Sequence, residues 1–474
     1  MAAFIGREPE LKRLSELTLK KTASFILVKG RKRIGKSRLL EEFSRQFEHY
    51  YCFRGIAPTP HIQKQDQLNE FSRQFSTNFQ TAKAFYQDWG DVFMALAERV
   101  QTGKILLIFD EISWMGSQDP MFLSKLKDFW DSYLKKNDNL IFVVCGSASA
   151  WIERNIMSST GFVGRISFTM TLEELPLSDC RKFWNKNIST YEMLKILSVT
   201  GGVPKYLEEV NVSKSAEENI KKLCFSRGGI LVEEFRQIFS DIFLRKSDYY
   251  EKILMALCDS PKEISDIQKS LNLESSGRIS EYLLELELSG FVSQDFTWKI
   301  KSGEDSKLRK YRIKDNYIRF YLKYIEKNLN KIHRNGYPFK GITLLPDWSS
   351  IFGLQFENLI INNRASIQKA LGIDISDVIS DNPYFQRATQ SQKGCQIDYL
   401  IQTRFGTLYV CEIKFSKSPI GCSVIEEVQQ KIEALSVPKG YSFRPILIHV
   451  NGVSSDLQDA HYFSNILSME DLSQ

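Results

Sequence analysis

Along this chain of 474 residues the spacing of apolar positions changes character, and the changes mark its parts. In the first third, short unbroken apolar runs alternate with stretches of helical spacing. Residues 24–29, 105–109 and 140–144 are such runs, which suit strands buried on both faces, and 37–43 reads as a helix. That alternation predicts an α/β unit with a parallel sheet. From residue 248 the pattern becomes three short amphipathic stretches. The first places Tyr250, Ile253, Leu254 and Leu257 on one face, the second covers 261–271 and the third 275–288. A helix stop at 289–292 leads to a hairpin over 296–313 that turns around Gly303, Glu304 and Asp305. Further on, Phe352, Phe356, Leu359 and Ile360 form a helical stripe. Strand patterns at 397–401 and 408–414 flank a turn at 404–406, and a helix pattern covers 424–435.

A chain this long exceeds one core, and we divide it at 1–175, 176–245, 246–330 and 331–474. The 43% hydrophobic and 25% charged content is that of a soluble globular protein. No apolar run approaches ~18 residues, so no membrane span is expected. The N-terminus lacks a basic and apolar leader. The eight cysteines are scattered without a C-x-x-C pair, and Cys145 and Cys411 sit inside apolar runs. They read as small buried hydrophobes of a reducing compartment, the cytoplasm. The net charge of +6 is mild, but residues 299–331 hold eleven Lys or Arg against four Asp or Glu. Such a run is either a solvated face or a contact for nucleic acid.

The chemistry begins between the first strand and the first helix. Gly30, Arg31, Lys32, Arg33, Ile34, Gly35, Lys36 and Ser37 spell a complete G-x-x-x-x-G-K-S phosphate loop, with Arg38 in the helix that follows. Glycines let backbone N–H groups and a helix N-terminus converge on phosphate. Lys36 would reach the β- and γ-phosphates, and the Ser37 hydroxyl would help hold Mg²⁺. The run 105–109 ends in Asp110 and Glu111, beyond the carboxyl end of a strand, where ligands of parallel sheets sit. Asp110 is expected to hold Mg²⁺, and Glu111 to orient and deprotonate the attacking water. Ser147, after the run 140–144, is either a γ-phosphate sensor or part of a plain turn. These residues imply binding of a nucleoside triphosphate.

The segments FIGRE at 4–8, GRKRIGKS at 30–37, IFDE at 108–111, CGSAS at 145–149 and GGVPKY at 201–206 follow one another in an order that resembles the archaeal-type ATPases, AAA+/STAND-like P-loop proteins. The resemblance covers roughly residues 1–245. It implies ATP as the nucleotide, Glu111 as the catalytic glutamate, Phe4–Glu8 near the adenine, and a small helical lid whose Pro204 turn closes over the nucleotide. It also implies that Arg165, in a Gly-Arg element, can approach the γ-phosphate in cis or from a neighbouring copy in a homo-oligomer; an exposed arginine at a strand start fits the same residues.

The three helices and hairpin look like a winged helix-turn-helix. Its third helix carries Glu281, Glu285 and Glu287 against Arg278, so the module suits either DNA or a protein partner. The last 130 or so residues resemble the PD-(D/E)XK nuclease fold, an α/β restriction-endonuclease-like domain. On that resemblance Asp398 and Glu412 match the metal-binding carboxylates, Lys414 the catalytic lysine and Glu357 the acid of the first helix. Ile397 stands where the family has proline, and Glu433 and Ala434 stand where some members have a tyrosine. The expectation is an ATPase coupled to a nuclease-like domain acting on DNA. Its rivals are an ATP-dependent regulatory switch that binds protein or nucleic acid without cutting, and a remodelling ATPase for proteins.

Overall fold

The computed structural model describes residues 4–57, 59, 61–147, 149–184, 188–243, 247–272, 277–390 and 392–473, with backbone alone for 240–243 and 247. Ala148, the expected start of the third amphipathic helix at 275–276 and the boundary at 245–246 lie outside the described residues. The chain divides into two compact units, one built mainly from residues 1–173 and the other from 174–236 and most of 246–474.

The first unit contains the expected parallel sheet. Strands β1 (Ser24–Lys29), β2 (His49–Arg54), β3 (Ile105–Asp110), β4 (Leu140–Gly146) and β5 (Phe168–Thr171) stand in the order β2-β3-β4-β1-β5. All the ladders are parallel. Every residue of β3 and β4 is buried, because helices cover both faces of the sheet. Phe25, Phe109, Phe129 and Phe142 pack on one face and Leu39, Phe43, Ile108 and Val143 on the other. Two apolar layers therefore clamp the strands, and the carboxyl ends of β1, β3 and β4 are left to converge.

In the second unit, helices Ser247–Ala256, Ile264–Ser270 and Gly277–Leu288 precede a hairpin of β6 (Val292–Trp298) and β7 (Asp305–Ile313). The hairpin starts four residues before the expected 296, since Val292 already pairs with Ile313. A mixed sheet follows, ordered β12-β11-β10-β9-β8, from β8 (Val378–Gln386), β9 (Cys395–Thr403), β10 (Thr407–Lys414), β11 (Ser442–His449) and β12 (Asn465–Ser468). The hairpin is joined to this sheet: Trp298 Nε1 donates to Gln402 Oε1 at 2.5 Å and Tyr384 Oη to the Trp298 carbonyl at 3.3 Å.

Two arginines of the basic run are structural. Arg312 is buried against Asp295 (2.8 Å) and reaches Asn358 Oδ1, while Arg319 is buried and donates to Gln355 Oε1 at 2.7 Å. Lys299, Lys301, Lys307 and Arg309 remain on the surface of the hairpin. Part of the expected lid (176–245) shares a core with the C-terminal sheet: Leu194 and Leu197 belong to one cluster with Phe356, Ile360 and Ile448.

Candidate functional site

The phosphate loop leaves β1 and enters helix Lys36–Ser44 through Gly35, whose φ of 93° lies in the left-handed region open to glycine. Gly30 is packed so closely that a Cβ there would fall 2.6 Å from the Leu172 carbonyl. Arg31 and Ile34 are buried in the loop, and Arg33 takes a positive φ of 71°. The Lys32 ammonium lies over the Trp114 ring, and Arg38 pairs with Glu41 at 2.8 Å. Lys36 curls back, donating to the carbonyls of Gly30 (2.9 Å) and Arg31 (3.1 Å). Burial holds its pKa below the usual range, opposed by the nearby Glu111 charge. A cation held by carbonyls alone is ready to exchange them for phosphate.

The carboxyl ends of β3 and β4 complete this corner. Ser37 Oγ donates to Asp110 Oδ2 at 3.0 Å, so a hydroxyl and a carboxylate oxygen sit side by side, a hard donor pair of the kind Mg²⁺ takes. Asp110 Oδ1 accepts from the Glu111 N–H at 3.1 Å. Glu111 has φ 54°, a conformation that costs a non-glycine residue energy and turns its side chain toward β4. There its carboxylate accepts from the Ser147 hydroxyl (3.0 and 3.1 Å) and the Ser147 N–H (3.1 Å). Burial raises the Glu111 pKa; Lys36 opposes the shift and Asp110 adds to it. The structure thus brings Lys36, Ser37, Asp110, Glu111 and Ser147 together.

Three residues at this corner were not picked out from sequence. Arg54, at the end of β2, places Nε 3.1 Å from Asp110 Oδ2 with its side chain 60% exposed. Cys145 is more than a small hydrophobe, since its thiol donates to Asp110 Oδ1 at 2.9 Å; burial pushes its pKa well up and keeps it protonated. Arg7, buried, donates to the carbonyls of Ile34 (3.2 Å) and Glu173 (2.6 Å) and so straps the N-terminal segment to the loop. Only the strand ends carried a signal for Arg54 and Cys145, and FIGRE for Arg7. Arg165 forms a two-pronged pair with Asp131 (2.8–3.1 Å). Pro204 opens the short helix Pro204–Leu207 in the other unit.

The second constellation lies in the C-terminal sheet. Cys411 pairs with Tyr399 across β10 and β9, which sets Asp398 opposite Glu412. Glu412 is buried, its side chain 2% exposed, and Lys414 lies 3.1 Å from Oε1. Glu357, on helix Trp348–Asn362, has its pKa pushed up to about 7 by burial and then by the Asp398 charge. Lys431, unselected from sequence, stands on helix Ser423–Ala434 with Nζ 2.5 Å from Glu412 Oε2 and 3.5 Å from Asp398 Oδ1. The remaining oxygen, Asp398 Oδ2, accepts the Ile413 N–H at 2.9 Å. Among the described residues no group of three or more His, Cys, Asp or Glu is arranged to hold a metal ion. With each oxygen of Asp398 and Glu412 engaged by an ammonium or an amide, this pair as it stands does not fit a divalent ion.

Comparison with known proteins agrees with the first site. Residues 4–210 match the model of an ATPase domain predominantly from Archaea. This match and the loop geometry define the class: the N-terminal part of the chain is a P-loop ATPase domain that binds ATP. The chain is similar to an uncharacterized protein of Methanocaldococcus jannaschii, MJECL04, with 27% identity over 363 residues, 75% of this chain and 76% of that protein. The Walker-type ATPase PABY2304 of Pyrococcus abyssi shares the fold, with TM-score 0.50 and 17% identity over 67% of this chain and 96% of that one. The Aeropyrum pernix ORC2 protein overlaps more loosely, with TM-score 0.41 and 14% identity over 69% and 94% of the two chains. No helix among the described residues is long and apolar enough to cross a membrane.

Proposed function

We propose that this chain is an ATP-hydrolysing machine acting on DNA, in which the nuclease-like C-terminal module holds nucleic acid without cutting it. The observation that carries the ATPase half is the meeting of Ser37 and Asp110, 3.0 Å apart beside the phosphate loop, with Glu111 one residue on. Lys36 would leave the Gly30 and Arg31 carbonyls for the terminal phosphates, joined by loop N–H groups and the N-terminus of helix Lys36–Ser44. Ser37 and Asp110 would hold Mg²⁺, which when bound offsets phosphate charge. Glu111, its proton affinity raised by burial, would accept the proton of the attacking water, with Ser147 setting its orientation. Arg165 would serve a neighbouring copy only after leaving Asp131.

For the DNA half, support comes from the exposed cations Lys299, Lys301, Lys307 and Arg309, carried on a hairpin rigidly joined to the C-terminal sheet. Such groups contact phosphate without reading sequence. The test is ATP turnover with and without single- and double-stranded DNA, following the integrity of labelled DNA in the same tubes, with Lys36→Ala and Glu111→Gln as controls. Turnover that rises several-fold with DNA left intact is the expected result. Turnover indifferent to DNA would favour a regulatory switch, and Mg²⁺-dependent cutting would overturn the holding role.

A further inference from the structure

We propose that Lys431 is the resident cation of the Asp398–Glu412 cluster, and that its ammonium excludes a divalent ion from the C-terminal site. The inference rests on the nuclease-like reading of that module and says how its metal chemistry is silenced. It starts from the placement of helix Ser423–Ala434. Val424 and Val428 are buried on its inner face, and Lys431 follows them by seven and three residues, on the same stripe. The packing of two valines therefore points the lysine into the sheet. Glu427, four residues before Lys431, pairs with Lys414 at 2.6 Å, so one helix face supplies both a cation for the acids and an anion for Lys414.

Both acids are already partnered. Glu412 lies between Lys414 and Lys431, and Asp398 between Lys431 and the Ile413 amide. A divalent ion entering here must displace Lys431, which has no other acid within ion-pairing distance among the described residues. Coordination next to an undisplaced ammonium would set like charges side by side in a mostly buried place. An exposed lysine elsewhere would carry no such cost.

Mn²⁺ binding by the full-length, nucleotide-free protein, read from the loss of the free-ion paramagnetic signal, tests this without any assay of activity. The expected result is that wild type and Asp398→Asn bind the same amount of Mn²⁺. Lys431→Met should gain one equivalent, at least tenfold tighter than any such site in wild type, and lose it when Asp398→Asn is added. Lys431→Arg should behave as wild type. A wild-type Mn²⁺ site removed by Asp398→Asn would overturn the proposal, as would a folded Lys431→Met that gains nothing. Should Lys431→Met fail to fold, the first comparison still decides. DNA-stimulated ATP turnover, measured on the same wild-type preparation, separates failure of the functional reading from failure of the counter-ion role.

Discussion

Two acidic corners of this chain use similar parts under different conditions. At the ends of β3 and β4, Asp110 meets Arg54, a long side chain that is 60% exposed and free to leave. In the C-terminal sheet, Glu412 is 2% exposed and meets Lys431, which is 25% exposed and fixed on a packed helix. Both corners neutralise carboxylates with a basic side chain. At the first, the partner sits at the rim and a ligand can replace it at little cost; at the second, the partner is part of the wall. A third pairing is acid on acid: Glu326 is raised to about 7 by burial and then by its hydrogen bond with Glu251, with Lys327 and Arg236 opposing the shift. The two corners differ in how exposed the counter-ion is.

The largest expected effect sits at the first corner. Glu111→Gln should cut ATP turnover about 10³-fold, roughly 4 kcal/mol of barrier, while nucleotide binding measured by fluorescent-analogue displacement stays within about threefold. Equal loss of binding and turnover would make Glu111 a binding residue and break the contrast. Next comes the corner in the C-terminal sheet. Glu412→Gln leaves Lys431 and Lys414 short of an acid, and urea melts should show a loss of about 2 kcal/mol, below the usual cost of a broken buried pair because Lys431 is partly exposed. Ser147→Ala keeps the backbone donor and loses the hydroxyl; about a tenfold fall in turnover should follow, with unchanged melting.

Smaller still, Arg54→Ala should cost under about 1 kcal/mol of stability, as exposed pairs do, and a loss as large as that of Glu412→Gln would erase the distinction drawn from exposure. The pH test concerns Glu326. Its folded-state pKa of about 7 lies above the ordinary 4.5, so the native state binds more protons between these values. Stability therefore falls as pH rises through that window, and the penalty is complete above it. Glu326→Gln should lessen the fall in melting temperature between about pH 5 and about pH 8 and raise it at the upper end, the remaining slope belonging to Glu357, which is raised over the same range.

The first corner was largely legible in the sequence because its parts are local. A phosphate loop is eight contiguous residues, and Asp110–Glu111 announce themselves by ending an apolar run. Arg54 and Cys145 were not legible, since their link to Asp110 comes from strand order, which puts β2 and β4 on either side of β3. The basic run shows the reverse limit. Arg312 and Arg319 look like surface charge in a one-dimensional count, yet both are buried, held by Asp295, Asn358 and Gln355 from elsewhere in the chain. Lys431 was passed over because a lysine in a polar helix pattern looks solvated, and only the packing of Val424 and Val428 turns it inward.

By itself the sequence determined the α/β class, the phosphate loop and the acids at two strand ends, because periodicity and contiguous motifs are properties of the chain alone. Tertiary structure decided which cation faces each acid, that Glu111 rests on Ser147, and that the basic hairpin is welded to the C-terminal sheet. Those outcomes depend on side chains far apart in sequence meeting under burial, where an acid must find a partner or keep its proton.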